Sequence, residues 1–325
     1  MHVTVLTHVD SDDGQPDVAV TQVAETLTEL GHKADILDVG GDAVKLATEL
    51  RTRKPGLVFN LAEGHGGDDW ADAPVAALLE LLGLAYTGSS ARTLYITQQK
   101  VLTKKILAFD GIATPRFAVF TRTDGFETGG NLRLPLFVKP LRADASEGID
   151  AKASLVSDMT GLLERVRMIH EEIEDSALAE EFVVGREFYV GVLGNESPVA
   201  LPVVEMDFSG LPEGALHIAD FDAKWEEGTA QFRGTKSILA DLPDQTRAQL
   251  QDVAVRAYRA LDIHDYGRID MRLTDAGEVF VLEANANCYL EREAELARAA
   301  EAHGIAFAEL IGKIVEHAKK RKRHR

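Results

Sequence analysis

The chain has 325 residues, 45% of them hydrophobic and 27% charged, which is a soluble globular composition too long for one small core. A formal net charge of −18 repels polyanions and argues against nucleic acid or an anionic membrane as partner. The single cysteine, Cys288, allows no intrachain disulfide, the opening MHVTVLTHVD lacks signal-peptide character, and no apolar run reaches the length of a membrane span, so a cytoplasmic protein is expected.

The N-terminal part alternates strand and helix. VTVL (Val3 to Leu6), ADILDV (Ala34 to Val39) and GLVFN (Gly56 to Asn60) read as strands. Helices are expected over Val18 to Leu30, Asp42 to Arg53 and Pro74 to Leu82. Such alternation predicts a parallel sheet with helices on both faces, and ligands at the carboxyl ends of its strands. Those ends carry the polar segments His8 to Asp17 and Ala62 to Asp69.

The middle predicts a smaller antiparallel α+β unit. A helix over Thr93 to Phe109 leads through GIATP to strand Phe117 to Phe120, a polar stretch Thr121 to Asn131, and strand LPLFVKP. The loop LRADASEGID, a helix over Ser157 to Glu172 and strands near Ala177 to Val183 and Glu187 to Val192 follow. The last part has strand PVVE (Pro202 to Glu205) and a loop running to about Gly234, too long for a mere connection. A helix over Asp244 to Leu261, a hairpin GRIDMRL–TDAGE–VFVLEAN and two closing helices complete the chain. The terminal KKRKRHR (Lys319 to Arg325) reads as a solvated tail.

The hairpin is the sharpest chemical signal. Alternation puts Arg268, Asp270 and Arg272 on one face of GRIDMRL, and Glu283 and Asn285 on one face of VFVLEAN. An Asp, a Glu and an Asn aimed at one spot are hard oxygen ligands suited to Mg²⁺. A lone carboxylate in an apolar strand is otherwise costly. Lys139 ends the strand of FVKP, ahead of a small-residue loop able to fold backbone amides over phosphates; a surface lysine explains it as well. AEEFVVGREF (Ala179 to Phe188) offers carboxylates and open backbone for a nucleoside, or is a plain hairpin with a Gly turn.

ALLELLGLAYTGS (Ala77 to Ser89), the helix with Lys100, GIATP, FVKP, EEFVVGREF, DAKW, DYGRID and LEAN follow one another in an order that resembles the ATP-grasp superfamily, and within it the D-alanine–D-alanine ligases, along nearly the whole chain. The resemblance implies an ATP-grasp fold of mixed α/β and α+β class: an N-terminal parallel-sheet domain (1–92), a small central α+β lid domain (93–184) and a C-terminal α+β catalytic domain (185–325). It implies ATP with two Mg²⁺ ions, Mn²⁺ being a substitute, and a homodimer. Lys100 and Lys139 would contact phosphates, and Lys224 the γ-phosphate. Glu180, Phe182 and Val183 would line the adenine pocket, with Glu180 accepting from the exocyclic amine, and Glu187 would bind ribose. Asp270, Glu283 and Asn285 would hold the metals. Arg268 would stabilise developing charge, with Ser146 in the phosphate loop.

The implied activity is carboxylate–amine ligation through an acyl phosphate, with small amino-acid or carboxylate substrates. An authentic D-alanine–D-alanine ligase and a small-molecule kinase are the alternatives, and a nucleotide-binding module without turnover is a third. The substrate half departs from the family pattern. Asp12, Glu63 and Asp68 stand where the first substrate would be gripped, and Trp225 replaces a tyrosine. The serine-rich dock for the second substrate's carboxylate is replaced by ANCYLEREAEL (Ala286 to Leu296). In that segment Tyr289 and Arg292 are candidate substrate residues, and its acidic residues favour a cationic amine.

Overall fold

The computed structural model describes residues 1–9, 14–65, 70–123, 125–128, 131–142, 151–218 and 228–321. Three sheets organise them. The first holds β1 (His2–Thr7), β2 (Lys33–Asp38) and β3 (Leu57–Leu61) in the order β2-β1-β3, all parallel. Alternation along β1 sends Val3 and Val5 to one face and Leu6 to the other. Helix α1 (Val18–Glu29) brings Val20, Val23 and Leu27 to the Val3 face, and α2 (Ala43–Arg53) brings Leu46 and Leu50 to the Leu6 face. Asp17 and Asp42 cap these helices by accepting backbone N–H bonds.

The second sheet is antiparallel, in the order β5-β4-β8-β6-β7. Its strands are β4 (Phe117–Phe120), β5 (Phe126–Thr128), β6 (Leu136–Pro140), β7 (Leu155–Val156) and β8 (Ala177–Glu181). β5 lies in the stretch expected to be irregular; it pairs with the β4 edge, a tertiary choice that its polar sequence does not announce. The third sheet runs β12-β11-β9-β13-β14, with β10 on β9. It is built from β9 (Arg186–Leu193), β10 (Val199–Ala200), β11 (Val204–Asp207), β12 (Lys236–Leu239), β13 (Tyr266–Leu273) and β14 (Val279–Asn285). β12 and a helical turn at Ala230–Gly234 lie at the end of the long expected loop.

The helix expected over Thr93 to Phe109 is two: α3 (Asp72–Leu81) is followed by α4 (Ala91–Gln98) and α5 (Lys100–Phe109), broken at Gln99. Neither Gly nor Pro marks the break. Thr103 Oγ1 donates at 2.7 Å to the Ile96 carbonyl, which also accepts from the Gln99 N–H, and Gln98 Nε2 donates to Asp72. The helix expected over Ser157 to Glu172 is α6 (Met159–Met168) extended by a π-helical turn at Ile169–Ile173.

The expected division at residue 93 does not follow the cores. Leu94 and Leu107 of α4 and α5 share a cluster with Leu79 of α3, Val281 of β14 and Ala254 of α7 (Asp244–Ala260). At the other end, α8 (Glu295–Ala302) is followed by α9 (Phe307–Lys320), which lays Ile311 and Ile314 on Val3, Val5 and Phe59 of the first sheet. The first and third sheets therefore share two cores. The second sheet has its own, around Leu136, Val138, Leu162 and Ile169.

Candidate functional site

A cleft of about 750 Å³, open to solvent, separates the second sheet from the third. One wall comes from β6 and β8. Leu136 and Val138 point into the central core, so alternation turns Phe137 and Lys139 the other way, into the cleft. Glu180 is the cross-strand partner of Phe137. It is almost fully buried, yet both its oxygens meet cations: Lys139 Nζ at 2.9 Å, and Lys104 from α5. Burial pushes the Glu180 carboxyl up, and the two lysines outweigh it, holding it down at about 2. Burial in turn lowers Lys104, against the pull of Glu180. Glu180, expected at the adenine pocket, does line the cleft and is already engaged by both lysines. It is a buried anion that fixes Lys139 at the cleft wall, because a buried carboxylate without counter-charge would not stay ionised.

The chain crosses to the third sheet through Phe182, Val183 and Gly185. A side chain at 185 would strike the Leu273 carbonyl, so glycine lets this segment lie against β13. Glu187 follows on β9, opposite Arg272 of β13. Arg272 is buried and donates from Nε and Nη2 to Glu187 Oε2 (3.1 and 2.8 Å), from Nη1 to the Val183 carbonyl (2.9 Å), and from Nη2 to the His217 carbonyl. Its plane lies over the Phe182 ring at 5.0 Å, and Tyr189 Oη donates to the other oxygen of Glu187 at 2.8 Å. Phe137, Phe182, Val183, Ile218 and Leu282 give the cleft apolar walls, and Lys139, Glu187 and Arg272 give it polar ends. Apolar walls with a few fixed polar groups suit a nucleoside.

The far end of the cleft is the hairpin. Arg268 pairs with Asn285 and Asp270 with Glu283, but Met271 pairs with Val281, so Leu282 is an extra residue in a β-bulge. The bulge decides the chemistry. Val279 and Val281 face the core, and strict alternation would send Glu283 after them. The extra residue instead puts Glu283 and Asn285 on the face of Asp270, while Ala284 and Ala286 return to the core. Asn285 Nδ2 donates to Asp270 Oδ2 at 3.1 Å. Arg268 clasps Asp270 through Nε (2.7 Å) and Nη2 (2.9 Å), and reaches Glu295 through Nη1 at 3.1 Å. Among the described residues no three His, Cys, Asp or Glu side chains converge. Two carboxylates and an amide fit a hard cation completed by phosphate oxygens and water, which is how Mg²⁺ is usually held with a nucleotide.

The other candidates divide. Lys100 opens α5, one helical turn before Lys104. Glu63 is exposed in the loop after β3. Asp12, Asp68, Ser146, Lys224 and Trp225 lie outside the described residues. Tyr289 and Arg292 are engaged by α1: Tyr289 Oη donates to Asp17, the Arg292 backbone N–H donates to Gln22 Oε1, and Arg292 Nη2 donates to Thr26 Oγ1. The Arg292 guanidinium also stacks on Phe307 at 4.5 Å. Both residues tie the segment after β14 to the N-terminal helix and its cap.

The family model for the C-terminal part of D-Ala–D-Ala ligase matches residues 106–316. A D-alanine–D-alanine ligase of Syntrophotalea carbinolica is 33% identical over 301 residues, covering 92% of this chain and 90% of that one. The chain belongs to the D-alanine–D-alanine ligase family. An uncharacterised protein of Sinorhizobium fredii is 34% identical over 306 residues, covering 92% of this chain and 87% of its own. In fold, the chain matches a D-alanine–D-alanine ligase of Bacillus anthracis, solved with ATP, at a TM-score of 0.77 and 22% identity, covering 98% of both chains. Family membership makes the protein an ATP-grasp ligase that forms C–N bonds.

Three polar residues of the site escaped the sequence reading. Lys104 had a signal: it sits four residues after Lys100, on the same helix face. Arg272 was placed on the Asp270 face but given no task. Nothing local to Glu295 set it apart from ordinary charge at a helix start.

Proposed function

We propose that the protein activates a small carboxylate with the γ-phosphate of ATP and joins the resulting acyl phosphate to an amine, releasing ADP and phosphate. The observation that carries this is the meeting, in one cleft, of the Phe182–Val183–Glu187 wall with the Asp270–Glu283 end. Phe137, Phe182 and Val183 would enclose the adenine and Glu187 the ribose, leaving the phosphates to run past Lys139 toward Asp270. Asp270, Glu283 and Asn285 would hold magnesium, which neutralises phosphate charge when bound. Lys139 is pre-set by Glu180, and Arg268 by Asp270, so both cations are oriented before substrate arrives. Positioning and charge neutralisation are what phosphoryl transfer asks of a protein.

The named relatives point to D-alanine as donor and acceptor. The segment Ala286 to Leu296 points to a different acceptor, because its one arginine, Arg292, is engaged by Thr26 and the Phe307 ring. A phosphate-release screen with amino-acid pairs of both chiralities, followed by mass analysis, tests the reading. ADP, phosphate and an amide support it. A stable phosphoester identifies a kinase, and absence of ADP formation overturns catalysis altogether. We further propose a cytoplasmic homodimer, which light scattering tests by a mass of twice 35.4 kDa; no helix among the described residues is long and apolar enough to cross a membrane.

A further inference from the structure

The proposal concerns the amine, and it rests on the ligase reading above. Four arginines lie on β13 or in the segment that follows β14, the strands that carry Asp270 and Glu283. Arg272 is held by Glu187 and two backbone carbonyls. Arg292 is held by Thr26 and the Phe307 ring. Arg298 is held by Glu293 through its carboxylate and its carbonyl, and by the Ser237 carbonyl. Arg268, nearest the metal face, bridges Asp270 on one side and Glu295 on the other.

Glu295 is not a drifting surface charge. Ser237 Oγ, on β12, donates to its Oε1 at 2.9 Å, and Arg268 Nη1 donates to its Oε2 at 3.1 Å. The same Ser237 accepts from Arg298 of α8 through its carbonyl at 3.1 Å. Edge strand and helix are thereby stitched together around a carboxylate that stands one guanidinium away from Asp270. Its side chain keeps 23% of its surface exposed, so it is accessible without being loose. When Asp270 turns to a metal, Arg268 still has Glu295.

A free carboxylate on the acceptor, entering here, would compete with Glu295 for Arg268 and meet a like charge at hydrogen-bond range. An ammonium meets the opposite: a fixed acceptor oxygen within an acidic surround. We infer that Glu295 occupies the position of an acceptor carboxylate, and that the acceptor is an amine without a carboxylate beside its amino group, such as a simple amine or an amino acid masked as its amide. The chemistry balances without another reactant. The amine nitrogen, deprotonated, attacks the acyl carbon. The C–N bond forms, the C–O bond to phosphorus breaks, and phosphate leaves carrying the electron pair and the proton lost from nitrogen.

The test separates acceptor choice from the ligase reading. Hydroxylamine is a small nucleophile that captures an acyl phosphate as a hydroxamate, so ATP-dependent hydroxamate formation across the amino acids of both chiralities finds the donor. Failure with every donor overturns the ligase reading, and this inference with it. With the donor in hand, each acceptor is offered as the free amino acid, its amide and its decarboxylated amine. The expected result is kcat/KM at least about tenfold higher for the amide or amine than for the parent amino acid, the size of one lost charge-assisted contact. Equal or better use of the free amino acid overturns the inference while leaving the ligase standing. In Glu295→Gln, the amine-to-amino-acid preference should collapse toward unity; an unchanged preference also overturns it. Because the panel is read first on the wild-type protein, a variant that fails to fold does not rescue the idea.

Discussion

Four hydrogen bonds leave one guanidinium at Arg272, and they hold together three parts of the cleft wall: the Glu187 carboxylate, the Val183 carbonyl and the His217 carbonyl. Replacing Arg272 with Met keeps much of the volume and removes every donor. Among the described residues Glu187 then keeps only the Tyr189 hydroxyl as side-chain partner, a buried charge without a cation that costs about 3 kcal/mol of folding stability. The expected outcome for Arg272→Met is a KM for ATP raised about tenfold or more with a smaller change in kcat, and a lower urea midpoint. Arg272→Lys should recover little, because an ammonium cannot reproduce the fork. An unaltered KM in both variants would sink this role. Glu180 gives a second residue-scale prediction, with a sign. Its folded-state value of about 2 lies below its ordinary 4.5, so its contribution is full above about 4.5 and is lost as pH falls toward about 2. Wild-type protein should therefore lose melting temperature steeply across that window. Glu180→Gln should be less stable at pH 7, with two cations uncompensated, and should show a shallower acid decline; parallel pH curves would count against the pairing. The sequence displayed Glu180 and Lys139 as separate motifs. It could not display their contact, because register between β6 and β8 is set in the folded sheet.

At the scale of elements, the reach of the sequence is clearest in the hairpin. GRIDMRL and VFVLEAN were legible as paired strands with Asp270, Glu283 and Asn285 on a common face, and they pair so. The bulge that makes it possible was not legible, since one extra residue in an apolar run leaves no compositional trace. Leu282 is that residue. Deleting it restores strict alternation, and either Glu283 enters the Val279–Val281 core, at a cost of several kcal/mol, or the end of β14 slips. Both take Glu283 and Asn285 away from Asp270. Magnesium-dependent ATP turnover should vanish in the deletion, with a lower melting temperature. Leu282→Ala keeps the residue count and should keep turnover, with a higher KM for ATP because Leu282 lines the cleft. Full turnover in the deletion would show that the bulge does not aim Glu283. The break between α4 and α5 was hidden for a related reason: side-chain bonds from Thr103 to the Ile96 carbonyl and from Gln98 to Asp72 accompany it, and no Gly or Pro records that.

For the molecule as a whole, patterning told which faces were apolar but not what would cover them; the first and third sheets share two cores, and the second sheet carries two smaller ones. The last helix, α9, covers the first sheet, and its end is latched. Arg321 Nη2 donates to the Tyr86 carbonyl at 2.7 Å and Nη1 donates to the Gly88 carbonyl, while the guanidinium stands 3.4 Å from Asp265. Asp265 has no exposed surface; it accepts from the Gly88 N–H and from Asn195 Nδ2, both at 2.9 Å. The adjacent Ser89 N–H donates to Asn287, two residues beyond Asn285, so the latch joins the end of α9 to the loop that follows β14. Burial pushes the Asp265 carboxyl up from its ordinary 3.8, and Arg321 is the largest force opposing that rise. Arg321→Ala should raise it further and cost about 3 kcal/mol at neutral pH. The sign of the pH dependence follows. An acid whose folded value lies above its unfolded one holds its proton longer in the folded state, so stability falls as pH rises through the gap between them. The deficit of Arg321→Ala relative to wild type should therefore be larger at pH 7 than at pH 4, measured by paired denaturation curves. A deficit independent of pH would mean that Arg321 acts through the Tyr86 and Gly88 carbonyls alone, and that the charge on Asp265 takes no part in holding the end of α9 to the Tyr86–Gly88 segment.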